Sequence, residues 1–484
     1  MSTEHSSSKT PAIISTDSLI FPEASQNWAR TLTSLKRSTL SIPNRLASIH
    51  QDSLFVQRVA DAFHLPLIAN ERCGSWYIPP GRKGESAYFK STDGHQGQWS
   101  FSTRRLNLQV LDVIGKSNGC IIVDSTRRGK SMPDALSKTV PIWCAVINRL
   151  AFPQDPAVGE LLTPSQVVGR SEHVQIEAQL DNFVKDVDAL KLDIPTICSK
   201  IRKPLRPFWI TQDSSLPLSG DVFEDYLPVI CCTASRRVPG AERSEGGYIQ
   251  GAGDDSEGWS CGLTPAVFWR YQQQLMGAAE EDLTGLIEGL LTADTTTAGE
   301  VETVLLEPTR QVYIGTSNMV NGTCPGDYDG VVVCGDTMAE LPAEDPDAKK
   351  KLLRLRCGAG KLGSRALRGE LPRLLNFIHQ ISQGVEAPRL LFACPTGKDL
   401  SAGVALAALC LYFDDNGNLI TRHHPPLYNN DSWVLGHFTL QQGLHKIDKL
   451  YIRRRLSWIM TSHPSANPSR ATLQAVNSFL MQKP

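Results

Sequence analysis

The cysteines of this chain form no recognisable set. Twelve are scattered through 484 residues without one C-x-x-C spacing, and only Cys231 and Cys232 are adjacent. That pattern excludes a zinc ribbon and a small disulfide scaffold and fits a reducing, cytoplasmic compartment. Long apolar runs are also missing. None reaches the roughly 20 residues a bilayer helix needs, and the Ser/Thr-rich start has no basic segment leading into an apolar one, so neither a membrane span nor an export leader is expected. Charge of one sign is lacking too: the formal net charge is −1. With no global pull toward nucleic acid or membrane, any polyanion must be met by a local basic patch.

What is present is an ordinary globular composition, 41% apolar and 20% charged, in a chain too long for one hydrophobic core. Residues 1–20 read as a disordered, polar lead. An N-terminal mixed α/β domain is expected over 21–290 and a C-terminal α/β domain over 303–484. The linker falls at 291–302, inside the acidic, Thr-rich stretch from Gly277 to Glu302.

The most informative stretch runs from Leu390 to Phe413. The apolar run Leu390-Leu391-Phe392-Ala393 breaks into the loop Cys394-Pro395-Thr396-Gly397-Lys398-Asp399-Leu400-Ser401 and then enters an apolar segment. This is a strand–loop–helix order whose first helical turn would aim backbone N–H groups at a bound phosphate. The alternative is an ordinary βα turn with a buried Cys. The loop resembles the signature loop of dual-specificity phosphatases, and the elements from Gln311 onward follow that fold. Two departures stand out. Leu400 holds the position of the family's phosphate-clamping Arg, which Leu cannot replace, and no Asp lies between Ala348 and Lys398 to serve as general acid. The loop therefore reads as a phosphate holder without phosphatase chemistry.

Basic loops follow apolar strands elsewhere. Cys120-Ile121-Ile122-Val123-Asp124 empties into Ser125-Thr126-Arg127-Arg128-Gly129-Lys130, and Val229 to Ser235 into Arg236, Arg237 and Arg243. Hydroxyls, cations and backbone donors at a strand end suit a phosphorylated ligand. Arg104, Arg105 and Asn107 sit where Thr103 to Leu108 should open a helix. The run Tyr248-Ile249-Gln250-Gly251-Ala252-Gly253-Asp254-Asp255 is glycine-rich and ends in two carboxylates, which reads either as a ligand-approaching turn with metal-binding oxygens or as a plain turn with two solvated Asp residues. His423-His424, with no clustered partners, reads as a surface pair.

Coarser features complete the pass. Two helices are expected across Trp28–Phe63, broken at Pro43. A strand is expected at Cys73–Ile78 followed by a loop over Pro79–Glu85, a long amphipathic helix at Glu172–Lys191, strands at Gln311–Thr316 and Gly330–Gly335, and helices at Leu371–Gln383, Lys446–Trp458 and Arg470–Leu480.

Together the blocks Asp93–Asn107, Cys120–Leu136, Tyr248–Trp269 with Leu263-Thr264-Pro265, and Cys394–Cys410, with the tail Leu456–Leu480, resemble the initiator tRNA 2′-O-ribosyl phosphate transferase family over most of the chain. The missing phosphatase Arg belongs to that family's own pattern. The resemblance implies transfer of a 5-phosphoribosyl group from phosphoribosyl diphosphate to the ribose 2′-hydroxyl at position 64 of initiator methionine tRNA, which keeps that tRNA out of elongation. Such chemistry needs two anion sites, Mg²⁺ and a base. Arg127, Arg128 and Lys130, with Arg236, Arg237 and Arg243, are expected to meet the diphosphate. Asp254 and Asp255 would hold Mg²⁺, or one would accept the proton; Asp93 with His95 is the alternative base. The Cys394 loop would hold a donor or tRNA phosphate. Rival readings are a Cys394 phosphatase and a non-catalytic RNA-binding protein.

Overall fold

The computed structural model describes residues 40–92, 97–217, 223–239, 244–296, 303–320, 327–335, 351–358, 360–420, 428–429, 432–433 and 447–481. Helix α1 (Ile42–Phe63) has Pro43 in its first turn, where a missing N–H costs nothing, and ends at His64 in the left-handed region, whose N–H bonds the carbonyl of Ala60. Pro43 thus opens a single helix, and whatever precedes residue 40 lies outside the described residues.

The first sheet is wholly parallel, in the order β2 (Lys83–Ala87), β1 (Leu67–Asn70), β3 (Cys120–Asp124), β5 (Leu227–Thr233), β4 (Leu205–Ile210). Continuous apolar runs are what a parallel strand covered on both faces requires, and β3 and β5 are buried along their whole lengths. Pro207 sits in edge strand β4, where a missing donor is tolerated. Ile68, Ile122 and Cys231 pack on one face with helices α2 (Gln109–Ser117) and α3 (Val140–Ala151). On the other face Leu67, Ile121, Val123 and Ile230 meet α1, α6 (Pro265–Arg270) and α7 (Glu280–Thr296). The chain leaves β1 toward β2 and leaves β3 toward the opposite edge. The carboxyl ends of β1 and β3 therefore flank a topological switch point, the usual ligand crevice of such sheets.

The second sheet runs β9 (Leu352–Arg356), β8 (Gly330–Gly335), β10 (Leu390–Cys394), β7 (Val312–Thr316), β6 (Val304–Leu305), parallel except for the antiparallel edge β6. Helix α9 (Leu400–Tyr412) is apolar all round, and all its residues are buried. It is enclosed by the sheet, α8 (Gly360–Gly384), α10 (Lys449–Ser462) and α11 (Arg470–Leu480). Gly403 lets α9 and α11 meet: a Cβ there would lie 2.4 Å from Thr472 Cγ2.

Several expectations are corrected. Cys73–Ile78 is not a strand but contains a 3₁₀ turn, Gly74–Tyr77, and the expected loop after it supplies β2. The long helix at Glu172–Lys191 is two helices, α4 (Arg170–Glu177) and α5 (Leu180–Asp188), because a bend lets Ile176 and the Leu180, Phe183, Val187 face all reach the core. Residues 291–296, read as the start of the linker, continue α7, whose Leu283, Ile287 and Leu290 are buried in the first core. Thr103 to Leu108 opens no helix; α2 begins at Gln109.

The two domains are clasped together. Arg105 donates to the carbonyl of Pro464 at 2.8 Å and to Asn467 Oδ1 at 2.9 Å, Arg104 donates to the carbonyl of Pro468 and to Asn467 Oδ1, and Arg454 Nε donates to the carbonyl of Ala189 at 2.7 Å. Among the described residues no helix is long and apolar enough to cross a membrane.

Candidate functional site

The switch-point crevice opens into a cleft of about 1000 Å³ lined by Arg72, Thr126, Arg127, Arg128, Lys130 and Asp254 among others. Its floor is a charge cluster. Asp124 ends β3, and Asn70, ending β1, donates to Asp124 Oδ2 at 2.8 Å. Arg72, two residues beyond β1, reaches Asp124 at 2.9 Å and Asp254 at 3.1 Å. Its side chain is 27% exposed, against 0% and 2% for the two carboxylates. Cys73 Sγ donates to Asp124 Oδ1, Ser125 Oγ donates to Asp254 Oδ1 at 2.7 Å, and Tyr77 OH donates to Ser125 Oγ.

Two like charges held out of water need the cation between them. Burial pushes the Asp254 carboxyl above its ordinary value against the pull of Arg72 and of the Ser125 hydrogen bond, with Asp124 adding repulsion. Burial also works to lower the Arg72 guanidinium, but the surrounding Cys73, Asp124 and Asp254 outweigh it and raise it. The result is a locked cation beside a carboxylate of enhanced basicity, the environment that tunes a proton acceptor.

The basic loop after β3 forms the wall. Arg128 takes the left-handed conformation, φ 58. The loop is held from behind by Gln250, whose Oε1 accepts from Gly129 N at 3.0 Å and Val238 N at 3.1 Å while its Nε2 donates to the carbonyl of Lys130. Thr126 N donates to Ser235 Oγ. Gly251 allows the two segments to touch: its φ is +67, and a Cβ would lie 2.7 Å from the Thr126 carbonyl oxygen. Tyr248 is anchored in turn by Asp52, with its OH 2.9 Å from Oδ1. Gln250, Gly251 and Tyr248 thus build the cleft rather than line it.

The adjacent carboxylates part company. Asp254 is buried, whereas Asp255, left-handed at φ 49, carries a 67% exposed side chain paired with Arg127. Both oxygens of Asp254 are engaged, by Ser125 and Arg72, and among the described residues no cluster of three or more His, Cys, Asp or Glu could hold a metal. The pair does not fit a resident chelate: of the two, only Asp255 carries an exposed carboxylate, and it is paired with Arg127.

Other expected site residues fall elsewhere. Arg104 and Arg105 bind carbonyls of the second domain instead of an anion at a helix start. Asn107 Oδ1 accepts from Tyr88 N at 2.8 Å, and its Nδ2 donates to the carbonyl of Arg105. Arg236 is paired with Glu245 at 2.8 Å and lies over the Tyr248 ring; Arg237 donates to the carbonyl of Gly129. Asp93, His95 and Arg243 lie outside the described residues, as does the pair His423-His424.

The Cys394 loop is not part of this cleft. Cys394 Sγ is buried, 3.1 Å from Ser401 Oγ and 3.6 Å from Thr396 Oγ1. Burial would raise its thiol, but hydrogen bonds from Ser401, Thr396 and the loop backbone outweigh that and lower it. Leu400 is buried and directs no cation into the loop. Asp399 caps α11, accepting from Ser469 N at 2.8 Å and Thr472 Oγ1 at 2.6 Å, and Asn467 N donates to the carbonyl of Lys398 at 2.7 Å. Lys398 instead lines a second cleft, about 600 Å³, between the domains, together with Lys83, Tyr88, Arg105 and Trp269. Pro395 and Thr396 are exposed at the loop tip, and Gly397 turns it with φ 65.

Arg72 was missed by the sequence reading. Its signal was the parallel pairing of β1 with β3, which puts Asn70-Glu71-Arg72 at the same sheet edge as Asp124-Ser125-Thr126.

A parallel switch-point domain with a cationic cleft, joined to a second α/β domain whose Cys394 loop carries Leu400 at its helix start, defines a two-domain α/β protein. Residues 35–292 match the family model described as the Rit1 N-terminal domain, and residues 351–480 match the Rit1 DUSP-like domain. An uncharacterized protein of Schizosaccharomyces pombe is 36% identical over 452 residues, covering 90% of this chain and 94% of that one. The tRNA A64-2′-O-ribosylphosphate transferase of Saccharomyces cerevisiae is 34% identical over 504 residues, covering 92% and 93%. The chain belongs to the Rit1 family, the initiator tRNA ribosylphosphate transferases that its motifs resemble. Among solved structures, the Cydia pomonella phosphatase PTP-2 aligns at 14% identity over 37% of this chain and 89% of its own, with a TM-score of 0.23, and human DUSP28 at 13% over 37% and 92%, with 0.22.

Proposed function

We propose that the chain transfers a 5-phosphoribosyl group from phosphoribosyl diphosphate to the ribose 2′-hydroxyl at position 64 of initiator methionine tRNA. The observation that carries this reading is the buried Asp254, of raised basicity, at the floor of a cleft walled by Arg127, Arg128 and Lys130. In the proposed step the 2′-hydroxyl oxygen bonds to the anomeric carbon, the bond from that carbon to the diphosphate breaks, and the hydroxyl proton passes to Asp254. Mg²⁺, bound with the donor, would supply charge neutralisation on the departing diphosphate. The three basic side chains complete that neutralisation, and Arg72 keeps Asp254 ionised and in place. Direct displacement needs no cysteine nucleophile, which agrees with the burial of Cys394 and the apolar Leu400.

The test is transfer of 5-phosphate-labelled phosphoribosyl diphosphate to initiator tRNA by the full chain with Mg²⁺. Label should appear at nucleotide 64. Asp254→Asn should lower the rate about 10²- to 10⁴-fold with tRNA affinity unchanged. No label in tRNA with the wild-type chain refutes the reading.

A further inference from the structure

Two basic grooves flank α11, the first formed by the second domain alone and the second where Thr103 and Arg104 of the first domain meet it. One, about 600 Å³, is lined by Arg365, Arg368 and Arg470 over a floor of Ala471, Ala475 and Ser478. The other, about 230 Å³, is lined by Arg104, Lys449 and Arg453 beside Leu473 and Asn477. Helical spacing places them so. Positions 470, 471, 474, 475 and 478 face one side of α11 while 473 and 477 face the other, and 449, 452, 453 and 456 form one stripe of α10. No carboxylate lines either groove, and among the described residues none pairs with Arg365, Arg453 or Arg470. In a chain of net charge −1, six cations around one helix are a local concentration that serves no core.

We propose that these two grooves grip the sugar–phosphate backbone of duplex RNA, making the second domain the tRNA-holding half of the enzyme. The inference rests on the tRNA substrate proposed above. The grooves lie one helix width apart, roughly 10–12 Å, so a single phosphate or a phosphorylated side chain fills one of them, whereas a duplex backbone reaches both. The small floor residues of the first groove let a phosphate approach the helix. A-form RNA is read by shape and phosphates rather than base edges, which fits a surface of cations without aromatic side chains. Arg104 braces the second groove against the first domain rather than gripping phosphate, since its guanidinium is taken by the Pro468 carbonyl and Asn467 Oδ1.

The experiment measures initiator tRNA affinity against salt for the full-length wild type, the triple variant Arg365→Ala/Arg453→Ala/Arg470→Ala, and Lys116→Ala as an exposed control, with an unrelated RNA duplex as second ligand. The three removed side chains are exposed, so the thermal midpoint should not move. The triple variant should bind both RNAs at least 10-fold more weakly, and the slope of log affinity against log salt should fall by about 3. Lys116→Ala should bind both RNAs like wild type. Triple-variant affinity within twofold of wild type, or an unchanged salt slope, overturns the inference while leaving the proposed reaction intact. Absence of transfer by the wild-type chain would strike the reaction instead, because affinity is read without turnover.

Discussion

Replacing Arg72 by Ala removes the cation shared by Asp124 and Asp254, and the consequence can be worked from the geometry. Both carboxylates are almost fully buried and both contact the guanidinium. Breaking a buried ion pair by deleting one partner costs about 3–5 kcal/mol, which for a domain of this size lowers the thermal midpoint by roughly 6–20 °C. The loss should depend on pH. Asp254 already holds its proton above the ordinary carboxylate value, so its contribution to stability is fully present below the unfolded value and is lost as pH rises through the folded one. Arg72 pulls the Asp254 value down; without it the value climbs and the loss extends further toward neutrality. The variant's deficit should therefore be small near pH 5 and large at pH 7.5, and the acid limb of its kcat/KM should move to higher pH. Adding Asp254→Asn removes one of the two facing charges and should restore about 1 kcal/mol or more relative to Arg72→Ala alone. Thermal unfolding of the full chain by near-ultraviolet circular dichroism at several pH values makes the measurement. A deficit independent of pH, or a double variant less stable than the single, refutes the reasoning.

Two further outcomes are expected. Gly251→Ala forces a Cβ toward the Thr126 carbonyl in a left-handed conformation; it should cost about 2–3 kcal/mol and reduce transfer even where the protein is fully folded, and a wild-type midpoint and rate would show that the segments need not touch. Cys394→Ser replaces a thiol that bonds Ser401 and Thr396 with a hydroxyl able to do the same; transfer should stay within about threefold of wild type, and a hundredfold loss would require a covalent role for the cysteine.

Strands with long β-branched or apolar runs were legible from sequence. Cys120–Asp124, Gly330–Gly335 and Leu390–Cys394 lie where the pattern put them, and the closing helix Arg470–Leu480 matches residue for residue. The basic loop after Asp124 was legible for the same reason: an apolar strand that stops at a charged residue announces its own end. Arg72 was not, because Cys73-Gly74-Ser75-Trp76-Tyr77-Ile78 has strand composition yet folds as a turn, which moved the apparent sheet edge past the residue that matters. Nor could the sequence show that Asp254 and Asp255 separate, since Asp visits the left-handed region only occasionally and nothing in the sequence says that Asp255 does so here. Arg104 and Arg105 carry the opposite lesson. Positive charge alone does not distinguish a phosphate from a row of carbonyl oxygens, and here the carbonyls belong to the other domain.

Those carbonyls lie in the segment His463–Ser469, whose other side is fastened to the Cys394 loop through Asn467, Ser469 and the contact of His463 Nε2 with the Gly397 carbonyl. The Cys394 loop thus serves as a mechanical joint between the domains. On the reading proposed above, a shift in this joint would change the nucleotide presented to Asp254 without touching any residue of the cleft.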